Sequence, residues 1–82
     1  MQTISHVIMD PLGIHARPAA LMIKTAAGFA SDIRLNAKGK SIALSSILSL
    51  MTLGLKQGDR MNITVEGPDE VQAAKTLRAV LP

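Results

Sequence analysis

The chain has 82 residues, enough for one small core and no second one. Nine basic residues against six acidic ones leave a net charge of +3. The basic residues are scattered from Arg17 to Arg78 and Phe29 is the only aromatic, so neither a nucleic-acid stripe nor a stacking platform is present. A mild attraction to acidic surfaces or anionic ligands is what remains. The absence of cysteine excludes disulfides, thiol catalysis and thiolate metal sites. No apolar run reaches membrane-spanning length, and no basic region followed by an apolar run opens the chain. A soluble cytoplasmic protein is expected, with one domain over 1–82.

In chain order, Thr3 to Met9 is rich in β-branched residues and predicts a first strand. His6 shares a face with Ile4 and Ile8, which suits a half-buried structural histidine better than a ligand. Asp10-Pro11-Leu12-Gly13 is turn chemistry: Pro pre-sets the second position of a type I turn and Gly tolerates its end. Ile14 is an apolar plug. From Ala16 the composition turns to helix-tolerant Ala, Leu, Met, Ile and Lys, with Pro18 in the first turn, where its missing N–H costs nothing. A helix over Ala16 to Ala27 is predicted, with Gly28 as its C′ residue, Ala19, Met22, Ile23 and Ala26 facing inward, and Phe29 sealing its end.

Ile33, Leu35 and Ala37 alternate with polar neighbours as a strand buried on one face. Lys38-Gly39 is a turn, and Ile42 with Leu44 completes a hairpin. Ser45-Ser46 opens a short helix ending near Leu53, capped by Gly54. Met61, Ile63 and Val65 alternate as a fourth strand. After Gly67-Pro68, Asp69 is positioned to N-cap a last helix, with Glu70 in its first turn and Val71, Ala74, Leu77 and Leu81 as its buried face. The order β-α-β-β-α-β-α gives an α+β, two-layer sandwich.

The chemistry concentrates at His15. A helix start carries unpaired N–H donors and the positive end of the macrodipole, which together make an anion site. Positive potential there favours the neutral, nucleophilic imidazole. Arg17 adds a fixed charge whose fork suits phosphate oxygens. Such a site can accept and stabilise a phosphoryl group; the plainer alternative is a histidine serving only as an N-cap beside a solvated arginine. Asp10 is near in sequence, and whether it orients the ring stays open. His6 and His15 are the only histidines and lie on different elements, so no metal and no cofactor are expected.

Gly13-Ile14-His15-Ala16-Arg17-Pro18-Ala19 resembles the active-site signature of HPr, the histidine phosphocarrier family of the bacterial phosphoenolpyruvate:sugar phosphotransferase system. The likeness continues through Gly39-Lys40-Ser41, Ser46-Ile47-Leu48, Met51-Thr52-Leu53-Gly54-Leu55 and Gly58, in order along nearly the whole chain. The resemblance implies an open-faced sandwich with strand order 1-4-2-3 and three helices on one face. It implies His15 as phosphoryl acceptor at Nδ1 with Arg17 beside it, enzyme I as donor, a sugar-specific enzyme IIA as acceptor, and a stoichiometric carrier more than an enzyme with its own turnover.

The second helix is more apolar than one core stripe needs. Leu50 and Leu53 fall on one side, and Ile47, Leu48 and Met51 spread toward the other. Either the helix is wholly buried or the second set forms an adaptable docking patch near His15, and the resemblance implies the patch. Ser46 suits an N-cap; in some HPr proteins the matching serine is a phosphorylated switch, which would bring in an HPr kinase/phosphorylase and a transcriptional regulator. Here Ser45 stands where the family usually has lysine. The alternatives are a paralogous carrier of a nitrogen or fructose branch, or a regulatory module acting through Ser46; members lacking the active histidine serve as such modules. The chain is expected to be a monomer.

Overall fold

The computed structural model describes residues 1–82. The chain runs β1 (Gln2–Val7), α1 (Ala16–Ala27), β2 (Asp32–Ala37), β3 (Lys40–Ala43), α2 (Ile47–Thr52), β4 (Arg60–Glu66) and α3 (Glu70–Arg78). The strands form one sheet in the order β1-β4-β2-β3, and every neighbouring pair is antiparallel. It follows that β1 and β2 run parallel with β4 between them, and that β3 and β4 run parallel with β2 between them. Each helical crossover therefore skips one strand, and the helices land on the same side. The architecture is the open-faced α+β sandwich.

Alternation explains which side they cover. Ile4, Ile63, Leu35 and Ile42 stand opposite one another across the sheet, the first three buried and Ile42 packed against them. On the other face the neighbouring row of Ser5, Asn62, Asn36 and Ser41 is polar and uncovered. The helices close the apolar side with Ala19, Met22 and Ala26 of α1, Leu50 of α2, and Ala73, Ala74 and Leu77 of α3. The core is aliphatic throughout, with Phe29 and Leu81 at its margin. Lys38 and Gly39 both adopt positive φ, 52° and 74°, the turn geometry that matches the twist of a tight hairpin.

Several sequence expectations are corrected. β1 ends at Val7 instead of Met9, because the pairing with β4 breaks just beyond it: Ile8 O accepts from Gly58 N–H at 2.8 Å, and Met9 N–H turns to Pro82 O at 3.0 Å. Gly28 ends α1 in the right-handed region, φ −79°, with its N–H on Thr25 O at 3.1 Å, so no left-handed cap forms. Val71 is 66% exposed; α3 turns Ala73 inward in its place. Asp69 precedes α3 without capping it through its side chain. Its carboxylate instead accepts from Ala30 N–H at 2.8 Å and Ser31 O–H at 2.5 Å, tying α3 to the α1–β2 connection. His6 is half-buried on the core face, its Nε2 enclosed without a partner.

Candidate functional site

Between β1 and α1 the chain makes the expected turn. Asp10 O accepts from Gly13 N–H at 2.8 Å, while Asp10 Oδ1 accepts from Leu12 N–H at 2.9 Å. Gly13 has φ +69°, and a Cβ there would lie 2.5 Å from Leu55 O and 2.8 Å from Lys56 Cα. Only glycine meets both requirements. Ile14, buried, donates its N–H to the same Leu55 O at 3.1 Å. From the other side, Asp10 N–H donates to Pro82 O at 3.1 Å and Gln57 Nε2 to Met9 O at 3.2 Å. The loop is thus pinned to the segment after α2 and to the segment after α3.

This frame delivers His15 to the N-cap of α1 with extended backbone, φ −115° and ψ −178°. Its side chain caps nothing. The Ala16 and Arg17 N–H groups have no partner within the chain, Pro18 has no N–H, and no acidic residue occupies the first turn. The helix start therefore keeps free donors and its positive potential. His15 and Asp10 are each about one-third exposed, and His15 Nε2 lies 3.3 Å from Asp10 Oδ2. Asp10 has its pKa lowered, chiefly by the Leu12 amide and to a lesser extent by His15, against an opposing effect of burial that ranks between the two. Arg17 is exposed and forms no ion pair. Asp10, His15, Arg17, Pro18, Leu21 and Lys24 line an open depression of about 710 Å³. Two basic groups, free amides and an imidazole around one opening can receive a tetrahedral anion.

The family described as the PTS HPr component phosphorylation site matches residues 2–82. The chain belongs to the HPr family. The phosphocarrier protein HPr of Lysinibacillus sphaericus is 46% identical over 81 residues, 99% of this chain and 92% of that protein. The structure of HPr from Thermoanaerobacter tengcongensis superposes with a TM-score of 0.92 at 37% identity, covering 99% of this chain and 91% of that one. Crh of Bacillus subtilis, a catabolite-repression protein solved as a swapped dimer, superposes with a TM-score of 0.74 at 35% identity, covering 92% of this chain and 86% of that one. HPr proteins carry phosphoryl groups in the phosphotransferase system, so the function is carriage and not catalysis. No helix is long and apolar enough to cross a membrane.

The second helix divides its apolar residues by face. Leu50 and Leu53 are buried, whereas Ile47, Leu48 and Met51 are 43%, 78% and 37% exposed. Ser46 is its N-cap, and its hydroxyl accepts from Ser49 N–H at 3.3 Å. Two further exposed apolar residues were not expected: Leu12 at the turn and Leu21 on α1, the second lining the same depression as His15. Leu12 did carry a signal, since a large apolar residue at a turn tip has no packing role there.

Proposed function

We propose that the protein accepts a phosphoryl group from enzyme I, charged by phosphoenolpyruvate, on Nδ1 of His15 and passes it to a sugar-specific enzyme IIA. The supporting observation is His15 at the start of α1, beside the unpartnered Ala16 and Arg17 amides, with Nδ1 in no internal hydrogen bond. In each transfer the bond from phosphorus to the donor breaks as the bond to the acceptor forms. The equatorial oxygens gather charge, and the helix amides with Arg17 are placed to stabilise it. The exposed Ile47, Leu48 and Met51 offer both partners a small adaptable docking surface. The protein acts as a cytoplasmic monomer, one domain over 1–82.

The test is direct. Incubated with phosphoenolpyruvate, magnesium and enzyme I, the protein is expected to gain one acid-labile phosphate on histidine. His15→Ala keeps the fold and gains none; an alanine variant phosphorylated as well as the wild type overturns the assignment. A regulatory role through Ser46, with an HPr kinase/phosphorylase and a transcriptional regulator as partners, is the second reading. It draws on the half-buried Ser46 hydroxyl at the edge of the α2 surface, where a phosphate would add about two negative charges. The same hydroxyl already serves as a cap.

A further inference from the structure

Asp10 is a group outside the expected set that touches His15. Its carboxylate is divided between two partners: Oδ1 accepts the Leu12 N–H at 2.9 Å, and Oδ2 lies 3.3 Å from His15 Nε2. The turn bond to Gly13 at 2.8 Å and the amide bond to Pro82 at 3.1 Å hold the Asp10 backbone, so this carboxylate is not free to swing away. The Leu12 amide, and after it His15, favour the ionised form of Asp10. An ionised carboxylate only accepts hydrogen bonds. The ring nitrogen facing it must therefore carry the hydrogen.

We propose that Asp10 is a positioning residue for phosphoryl transfer, holding His15 in its Nε2–H tautomer so that the Nδ1 lone pair faces the incoming phosphorus. The proposal rests on His15 as the acceptor. The atoms balance without a proton transfer: the Nδ1–P bond forms, the bond from phosphorus to the donor breaks, and the hydrogen stays on Nε2. The phosphorylated ring becomes cationic, and the Nε2–H bond to Asp10 becomes charge-assisted, which strengthens it as transfer proceeds. Arg17 and Lys24, on α1, line the same depression and attend to the phosphoryl oxygens. Asp10 is a carboxylate orienting an imidazole from the ring edge opposite the reacting nitrogen, a division of labour that hydrogen-bonding geometry alone can enforce.

Asp10→Asn separates this role from a structural one. Its carbonyl oxygen still accepts the Leu12 N–H, while the NH₂ group now facing Nε2 is a donor and selects the Nδ1–H tautomer, which blocks the nucleophile. Nitrogen-15 NMR of the His15 ring in the unphosphorylated protein is expected to show Nε2–H dominant in the wild type and a rise of Nδ1–H in Asp10→Asn. Phosphoryl uptake from enzyme I should slow about tenfold, the size of one hydrogen bond to a charged group, while the thermal midpoint falls only slightly because the turn bond to Leu12 is kept. A dominant Nδ1–H tautomer in the wild type, or an asparagine variant with wild-type tautomer and rate, overturns the proposal. Failure of His15 itself is distinguishable: the wild type would then show the Nε2–H ring and still take up no phosphate.

Discussion

Arg17 and His15 sit two residues apart at the start of α1, and their roles differ physically. In the proposed transfer His15 supplies a lone pair, whereas Arg17 supplies a fixed charge that no carboxylate in the chain neutralises. A charge of this kind matters most when negative charge develops on the transferring group. Arg17→Ala should slow phosphoryl uptake roughly ten- to hundredfold, the worth of charge-assisted hydrogen bonds. Because Arg17 is exposed, the thermal midpoint should stay within a degree or two of wild type. Rapid-quench measurement of phosphoryl transfer checks the first claim, calorimetry the second, and an unchanged rate removes Arg17 from the site. His15 and Arg17 were legible in the sequence because a helix start can be recognised locally. The Asp10 contact was not, since a separation of five residues becomes 3.3 Å only through the turn that Gly13 and Leu55 enforce.

At the scale of elements, α2 has six residues, too few to be stable alone in water. It persists because Leu50 is buried in the core and because Ser46 supplies one of its missing acceptors. Ser46→Ala should cost about 1 kcal/mol, lowering the thermal midpoint by roughly 4–8 °C for a domain of this size. Phosphoryl uptake at His15 should change little, and a stability equal to wild type would show that the cap bond contributes nothing. Helical periodicity separated Leu50 from Ile47, Leu48 and Met51, and the fold decided that the second set stays exposed. The start of α3 did not follow. Asp69 has the residue type of an N-cap, yet a partner 38 residues away in sequence, Ser31, claims its carboxylate. Local propensity lost to a tertiary hydrogen bond.

The whole molecule is held together by an uncharged core and tied at its surface by carboxylates. Asp69 has its pKa lowered chiefly by the Ser31 hydroxyl and then by the Ala30 amide. Asp59 is lowered chiefly by the Lys56 amide, with Lys38 contributing, and Asp10 as described. A carboxylate whose folded pKa lies below its unfolded value of 3.8 stabilises the fold above that value. It loses that contribution as pH falls through the lower, folded pKa. The thermal midpoint should therefore be level from neutral pH down to about 5 and decline below about 4. Asp69→Asn should flatten part of that decline, and a midpoint that rises on acidification would contradict the assignment.

The sequence by itself determined the element types, the inward faces of β2, β4 and α1, and the histidine at a helix start. These depend on periods of 2 and 3.6 residues and on turn residues read over a few positions. Strand order came only from resemblance, and the tertiary structure supplies its reason: two crossovers that each skip a strand put α1 and α2 over one apolar face, and α3 returns over the same face after β4. Tertiary structure alone decided that Asp10 meets the His15 ring, that Asp69 leaves its own helix, and that Val71 faces water. The Asp69 case is a competition between a local preference and a distant partner, and only the folded chain brings Ala30 and Ser31 within reach.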